Sequence, residues 1–260
     1  MRIHLDFESF SETPIAEGLD RYTGGTFEVT LTALAFDDAE VLQWEGMPIR
    51  FLAALARCPS VNWHAFNAPF ERACLAHYGI EVPLERWRCT MAHSYARGFS
   101  GGLGEVGGQV GISEGKLDTG ARLIQKFAKP APKNHKVRRH DRHTDPADWQ
   151  EFMAYNIRDV ISERQVWRYL DRYSWSTEEQ RLWELDQRIN RVGMPVDAEM
   201  ARKAAELAEG FAEKYTSLVT QITDGIGPRQ TAALLAWCAA RGYDRPDLQA
   251  NTIEEFLNGT

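Results

Sequence analysis

No stretch of the 260 residues is apolar for 18 positions running, so no membrane-spanning helix is expected. The opening residues, Met1-Arg2-Ile3-His4-Leu5-Asp6, lack the apolar core of a signal peptide. The expected setting is the cytoplasm. Cysteine is scarce: Cys58, Cys74, Cys89 and Cys238 form no CxxC pair, which removes the usual zinc-site spacings and leaves free, largely buried thiols as the simplest reading. Positive charge is not in excess. Thirty Lys and Arg against 37 Asp and Glu give a net charge of −7, which argues against a protein that simply coats nucleic acid. It leaves room for an enzyme that gathers cations in a carboxylate cluster and confines strand contacts to a loop. Seven glycines fall between Gly98 and Gly111, yet no P-loop lysine and no preceding strand accompany them. They read as helix ends and close packing, or as a loop.

Residues 3–8 alternate, with Ile3, Leu5 and Phe7 on one side and His4, Asp6 and Glu8 on the other, the period of a strand. Residues 26–36 are rich in β-branched and aromatic types, Asp37-Asp38 suits a turn, and residues 39–44 can return as a third strand. Helical spacing in residues 48–57 precedes a short strand at 61–66. A helix then starts at Asn67 as its cap, with Pro69 in the first turn and Gly79 as the stop. This succession indicates an α/β sheet domain. Asp145-Pro146-Ala147-Asp148 predicts a helix start, and Trp149, Phe152, Met153, Val160 and Trp167 are spaced for a buried face as far as about Tyr173. Further helices are predicted over 177–190, 198–224 and 230–241, so the class changes near residue 175. The expected division is a sheet domain over 1–175 and a helical segment over 176–260.

Three elements carry chemistry. Asp6 and Glu8, at i and i+2 of a strand, share a face, and their mutual repulsion calls for a hard divalent cation such as Mg²⁺ or Mn²⁺. Glu71 lies in the first turn of its helix, in Asn67-Ala68-Pro69-Phe70-Glu71, where the dipole favours an acid. Tyr155 and Asp159, at i and i+4, share a helix face, and Asp159 sits among apolar neighbours where an unpaired carboxylate is costly. Each element alone is as well explained by an ordinary solvated strand, a helix start or a half-buried pair.

Taken in order, the three resemble the exonuclease motifs of the DEDD nucleases, tyrosine subclass, which include the 3′→5′ proofreading domains of phage-type family A DNA polymerases. Lys116-Leu117-Asp118 with Gly120-Ala121-Arg122-Leu123-Ile124 and Phe127, and Asn190-Arg191-Val192-Gly193-Met194-Pro195-Val196-Asp197, resemble further segments of those enzymes, the second lying where the polymerase portion begins. The resemblance implies a ribonuclease H-like fold: a mixed β-sheet flanked by helices. It implies two Mg²⁺ or Mn²⁺ ions, about 3.5–4 Å apart, held by Asp6, Glu8, Glu71 and Asp159, with Tyr155 and Glu8 orienting the attacking water. Glu71 departs from the Asp usual at that motif, which leaves its ligation open.

The implied reaction is hydrolysis of the 3′-terminal phosphodiester of DNA to nucleoside 5′-monophosphates. Its partners would be a single-stranded DNA 3′ end and a polymerase portion, in a bacterial host's cytoplasm if the chain is phage-encoded. No palm or fingers motif is present. Candidate strand contacts are Phe10, Asn67 and Phe70, with Trp63 and Phe66 as further stacking aromatics. Residues 126–143, with seven Lys or Arg against the single acid Asp141, read as an exposed, mobile loop whose Lys133, Lys136, Arg138 and Arg139 suit a DNA backbone. Three alternatives stay open: an exoribonuclease of the same superfamily, a domain that binds primer ends without cutting, and a purely structural domain.

Overall fold

The computed structural model describes residues 1–112, 120–132, 134 and 137–259. The chain divides into two compact units, Met1–Val192 and Gly193–Thr260.

The first unit is built on one mixed five-stranded sheet: β1 (Arg2–Phe10), β2 (Glu28–Phe36), β3 (Leu42–Glu45), β4 (Asn62–Ala65) and β5 (Trp87–Cys89), in the order β3-β2-β1-β4-β5. The first three strands form an antiparallel meander; β4 and β5 run parallel to β1. Parallel strands need helical crossovers, supplied by α2 (Ile49–Arg57) before β4 and α3 (Ala68–His77) before β5. This is the α/β architecture expected of a ribonuclease H-like fold. No helix among the described residues is long and apolar enough to cross a membrane.

Alternation along β1 sorts the two faces. Ile3, Leu5 and Phe7 enter the main core with Leu52 of α2 and Cys74 and Leu75 of α3. His4, Asp6 and Glu8 face the other way. Their partners across β2 are Ala35, Ala33 and Leu31, and this face is covered by the 25-residue helix α7 (Pro146–Leu170). Ala33 and Ala35 pack with Val160 of α7; two methyl side chains let the helix approach the sheet beside the acids. Leu31 lies in a separate cluster with Trp149, Phe152 and Tyr155 of α7 and Leu123 and Phe127 of α6 (Gly120–Phe127). The β1–β2 register slips between Glu8 and Ser9, and such a bulge re-aims the strand next to the acid pair.

The glycine-rich stretch does form helix ends and close packing: Gly102 and Gly111 cap α5 (Leu103–Val110), and Gly107 leaves no room for a Cβ beside Ile112. Other local expectations are corrected. The basic segment is less free than its composition suggests: α6 extends into it, and Lys126 is ion-paired with Asp145 and Asp148. Arg139 pairs with Glu28 and Arg142 with Glu45. Neither Asn67 nor Asp145 caps its helix through its side chain; the Asp145 carboxylate accepts instead from Lys126, His140 and Thr144.

Helix α8 (Thr177–Val192) extends the first unit past residue 175. Trp183 joins the main core, the Gln180 amide donates to the Trp87 carbonyl at 3.1 Å, and Arg72 donates to Gln187 at 2.8 Å. The second unit contains α9 (Ala198–Ile222), α10 (Thr231–Ala239) and α11 (Ala250–Leu257), with the Asp197 carboxylate accepting from the Met200 N–H as the N-cap of α9.

Candidate metal centre

The strand acids and the helical acid converge. One carboxylate oxygen from each of Asp6, Glu8 and Asp159 lies within 4.8 Å of the others, the sole such group of metal-capable side chains among the described residues. Oxygens that surround one hard cation at about 2.0–2.6 Å are necessarily no more than about 4–5 Å apart. The donor set and its spacing therefore fit a divalent ion. Glu8 and Asp159 are buried and Asp6 is half-buried, so their repulsion is poorly screened by water.

Asp6 is held in place. The Asn156 side-chain amide donates to its Oδ2 at 2.8 Å and to its carbonyl at 3.2 Å. The Gln43 amide in turn donates to Asn156 Oδ1 at 3.1 Å and to the Met153 carbonyl at 2.7 Å. Sequence reasoning missed this chain because Gln43 and Asn156 lie 113 positions apart. Asn156, a fully buried amide beside Tyr155, is likewise recognised only from the fold.

Tyr155 is hydrogen-bonded to Asp159, and its hydroxyl is held well above the ordinary phenol range, first by burial and then by the charges of Asp159, Glu8 and Asp6. It stays a neutral phenol. Its ring rests against Gly120: a Cβ built there would overlap the Tyr155 ring. Gly120 is thus a position where only hydrogen fits, another contact that local sequence does not reveal. The preceding Lys116-Leu117-Asp118 lies outside the described residues.

Glu71 stands apart from the trio of oxygens. It is 4% exposed, and its Oε2 finds no hydrogen-bond partner among the described residues. Its carboxyl is pushed well above the ordinary range, chiefly by burial and then by the Asp6 and Glu163 charges. Glu71 thus feels the Asp6 charge, although it is not grouped with the three oxygens. A buried carboxyl with one oxygen unsatisfied, close enough to other acids to feel their charge, suits a second cation better than an isolated core position.

The proposed strand contacts separate. Trp63 is fully buried with its ring 5.5 Å from that of Trp87, so it is core and cannot stack on a base. Phe70 is half-buried against the main core, Phe66 packs with the cluster of Leu103 and Leu170, and Asn67 is exposed. Phe10 is buried, with the Arg139 guanidinium 4.2 Å above its ring. Together with Phe27, Pro130 and Arg138 these two line a cleft of about 320 Å³ at the end of β1, two residues beyond Glu8. Lys133 and Lys136 lie outside the described residues.

No family model matches the chain. It is 31% identical over 270 aligned residues to a curated protein named DNA polymerase from Bacillus phage SP02, an alignment covering 99% of this chain and 41% of that protein. The chain is thus related to a phage DNA polymerase and spans about two-fifths of the length of that relative.

Proposed function

We propose that the chain is a divalent-metal-dependent 3′→5′ exonuclease acting on the 3′ end of DNA, the proofreading portion of a family A polymerase. The observation that carries this reading is the meeting of Asp6, Glu8 and Asp159 oxygens within 4.8 Å, beside a neutral phenol. Its relationship to a polymerase favours a DNA substrate over RNA.

Bound Mg²⁺ or Mn²⁺ would supply Lewis acidity at the phosphoryl group and lower the pKa of a water. The chain's own residues do the rest. Asp6, Glu8 and Asp159 would hold the first cation, and Glu71, whose carboxyl feels the Asp6 charge, would help to hold a second. Asn156 fixes the Asp6 carboxylate so that its oxygens are aimed before any ion arrives. Tyr155, un-ionised, orients the attacking water together with Glu8. Water oxygen bonds to phosphorus, the bond from phosphorus to the 3′ oxygen breaks, and the proton ends on the departing 3′ hydroxyl. The product is a nucleoside 5′-monophosphate. Arg138, exposed at the cleft beyond β1, offers a cationic contact for the strand backbone; Phe10 is buried under Arg139, which Glu28 already pairs, so it offers no stacking face.

A domain that holds a primer end without cutting draws on one observation, the position of Glu71 outside the trio. Side-by-side digestion of 5′-labelled single-stranded DNA and RNA, with Mg²⁺ and with EDTA, decides among these readings. Stepwise shortening of DNA in Mg²⁺ alone is expected. Preferential RNA digestion would replace the substrate, and DNA binding without cleavage would establish the non-cutting role.

A further inference from the structure

The acid cluster is the upper half of a longer ladder between β1 and α7. Every second residue of β1 faces the helix, and every fourth residue of α7 faces the strand. Glu8 lies near enough to Tyr155 for its charge to be felt there, and Asp6 meets Asp159 within the trio. Below them, His4 Nδ1 is 2.6 Å from Glu163 Oε2, and the Arg2 guanidinium sits 4.6 Å over the Trp167 ring. The strand advances about 6.6 Å per two residues and the helix about 6 Å per four. The mismatch is about 0.6 Å per rung, so four rungs drift by only about 2 Å.

The third rung is costly to build. His4 is 1% and Glu163 2% exposed. The Glu163 carboxylate also accepts from the Thr90 hydroxyl of α4 (Thr90–Ala96), so both its oxygens are engaged. A buried carboxylate of this kind is weak evidence for stability, because apolar residues of the same volume serve as well; setting a register is its better-attested use. A slip of α7 by one residue would carry Asp159 about 100° around the helix, out of reach of Asp6 and Glu8.

We propose that Glu163, clamped by His4 and Thr90, is a positioning residue that fixes the register of α7 on β1 and so brings Asp159 into the cation site. This rests on the exonuclease reading and adds a residue that touches neither cation nor DNA. Gln at 163 can still accept from Thr90 and donate to His4 Nδ1, whereas Ala breaks the rung and strands both partners.

The test is Mn²⁺ affinity by electron paramagnetic resonance on wild type, Glu163→Ala and Glu163→Gln, with near-UV circular dichroism to verify packing. Glu163→Ala is expected to weaken Mn²⁺ binding at least tenfold and to lower kcat with little change in KM for DNA. Glu163→Gln is expected to stay within threefold of wild type on both. Wild-type Mn²⁺ affinity in a folded Glu163→Ala, or a Glu163→Gln as weak as Ala, overturns the proposal. If Glu163→Ala does not fold, Thr90→Val decides: affinity two- to fivefold weaker supports it, and unchanged affinity overturns it. A wild type that binds no Mn²⁺ overturns the exonuclease reading and this inference together; intact wild-type binding with an unaffected Glu163→Ala overturns this inference alone.

Discussion

Helices α7 and α9 are both 25 residues long, and they are held by opposite means. α7 lies against the sheet and buries Tyr155, Asn156, Asp159, Ser162 and Glu163 along with Phe152, Val160 and Val166. α9 buries nothing. Met200, Leu207, Phe211, Tyr215, Leu218 and Ile222 are all more than 40% exposed along it. Its internal support is an Asp197 cap and spaced ion pairs such as Glu199–Lys203, each contributing no more than about 1 kcal/mol. A helix whose buried face is polar is being used to place chemical groups. A helix whose apolar face is exposed contributes none to the site described.

The largest expected difference between the two helices is in activity. Asp159→Ala on α7, like Asp6→Ala on β1, should lower the rate of DNA digestion by about 10³-fold, roughly 4 kcal/mol. Neither should lower the melting temperature much: relief of repulsion among the three carboxylates offsets the loss of the Asn156 bond to Asp6 or the Tyr155 bond to Asp159. Retained digestion by both variants would remove the acids from the mechanism. Phe152→Ala, which empties a fully buried α7 site, should cost about 3–5 kcal/mol in urea unfolding of the first unit. Phe211→Ser on α9 should leave that same transition within about 0.5 kcal/mol; an equal loss at both positions would erase the contrast.

Gly120→Ala sharpens the comparison at one point. The added methyl overlaps the Tyr155 ring, so α6 or the phenol must shift, at about 1–3 kcal/mol. Activity should fall more than stability suggests, because Tyr155 moves relative to Asp159. A smaller effect concerns Glu71. Its folded carboxyl titrates above its unfolded value, so the folded state holds the extra proton between the two. Stability of the metal-free protein should therefore decline as pH rises above about 4.3. Glu71→Gln in EDTA should be the more stable protein at pH 8 and indistinguishable from wild type near pH 4, by thermal melts. The opposite sign would mean that Glu71 is ionised and partnered.

How much of this was legible in sequence depends on the range over which each feature is set. The alternation of His4, Asp6 and Glu8 and the spacing of Tyr155 and Asp159 are local, and they identified the face of β1 and the face of α7 that meet. Local propensity also placed the helices over 177–190 and 198–224 close to where they stand. It could not show that Trp63 packs on Trp87, since an aromatic within a short strand reads alike as core or as a stacking platform. Nor could it show Gln43 reaching Asn156, Gly120 against Tyr155, or Glu163 clamped by His4 and Thr90. Those contacts are fixed by tertiary register. The ion pairs that tie Lys126, Arg139 and Arg142 are equally non-local, and composition alone suggested a freer segment.

Crystals grown or soaked with Mn²⁺ offer the most direct test of the central claim through the anomalous difference map. A peak is expected about 2.0–2.3 Å from oxygens of Asp6, Glu8 and Asp159 together. A map with no peak there at millimolar Mn²⁺, in crystals where the three carboxylates are ordered, would contradict it.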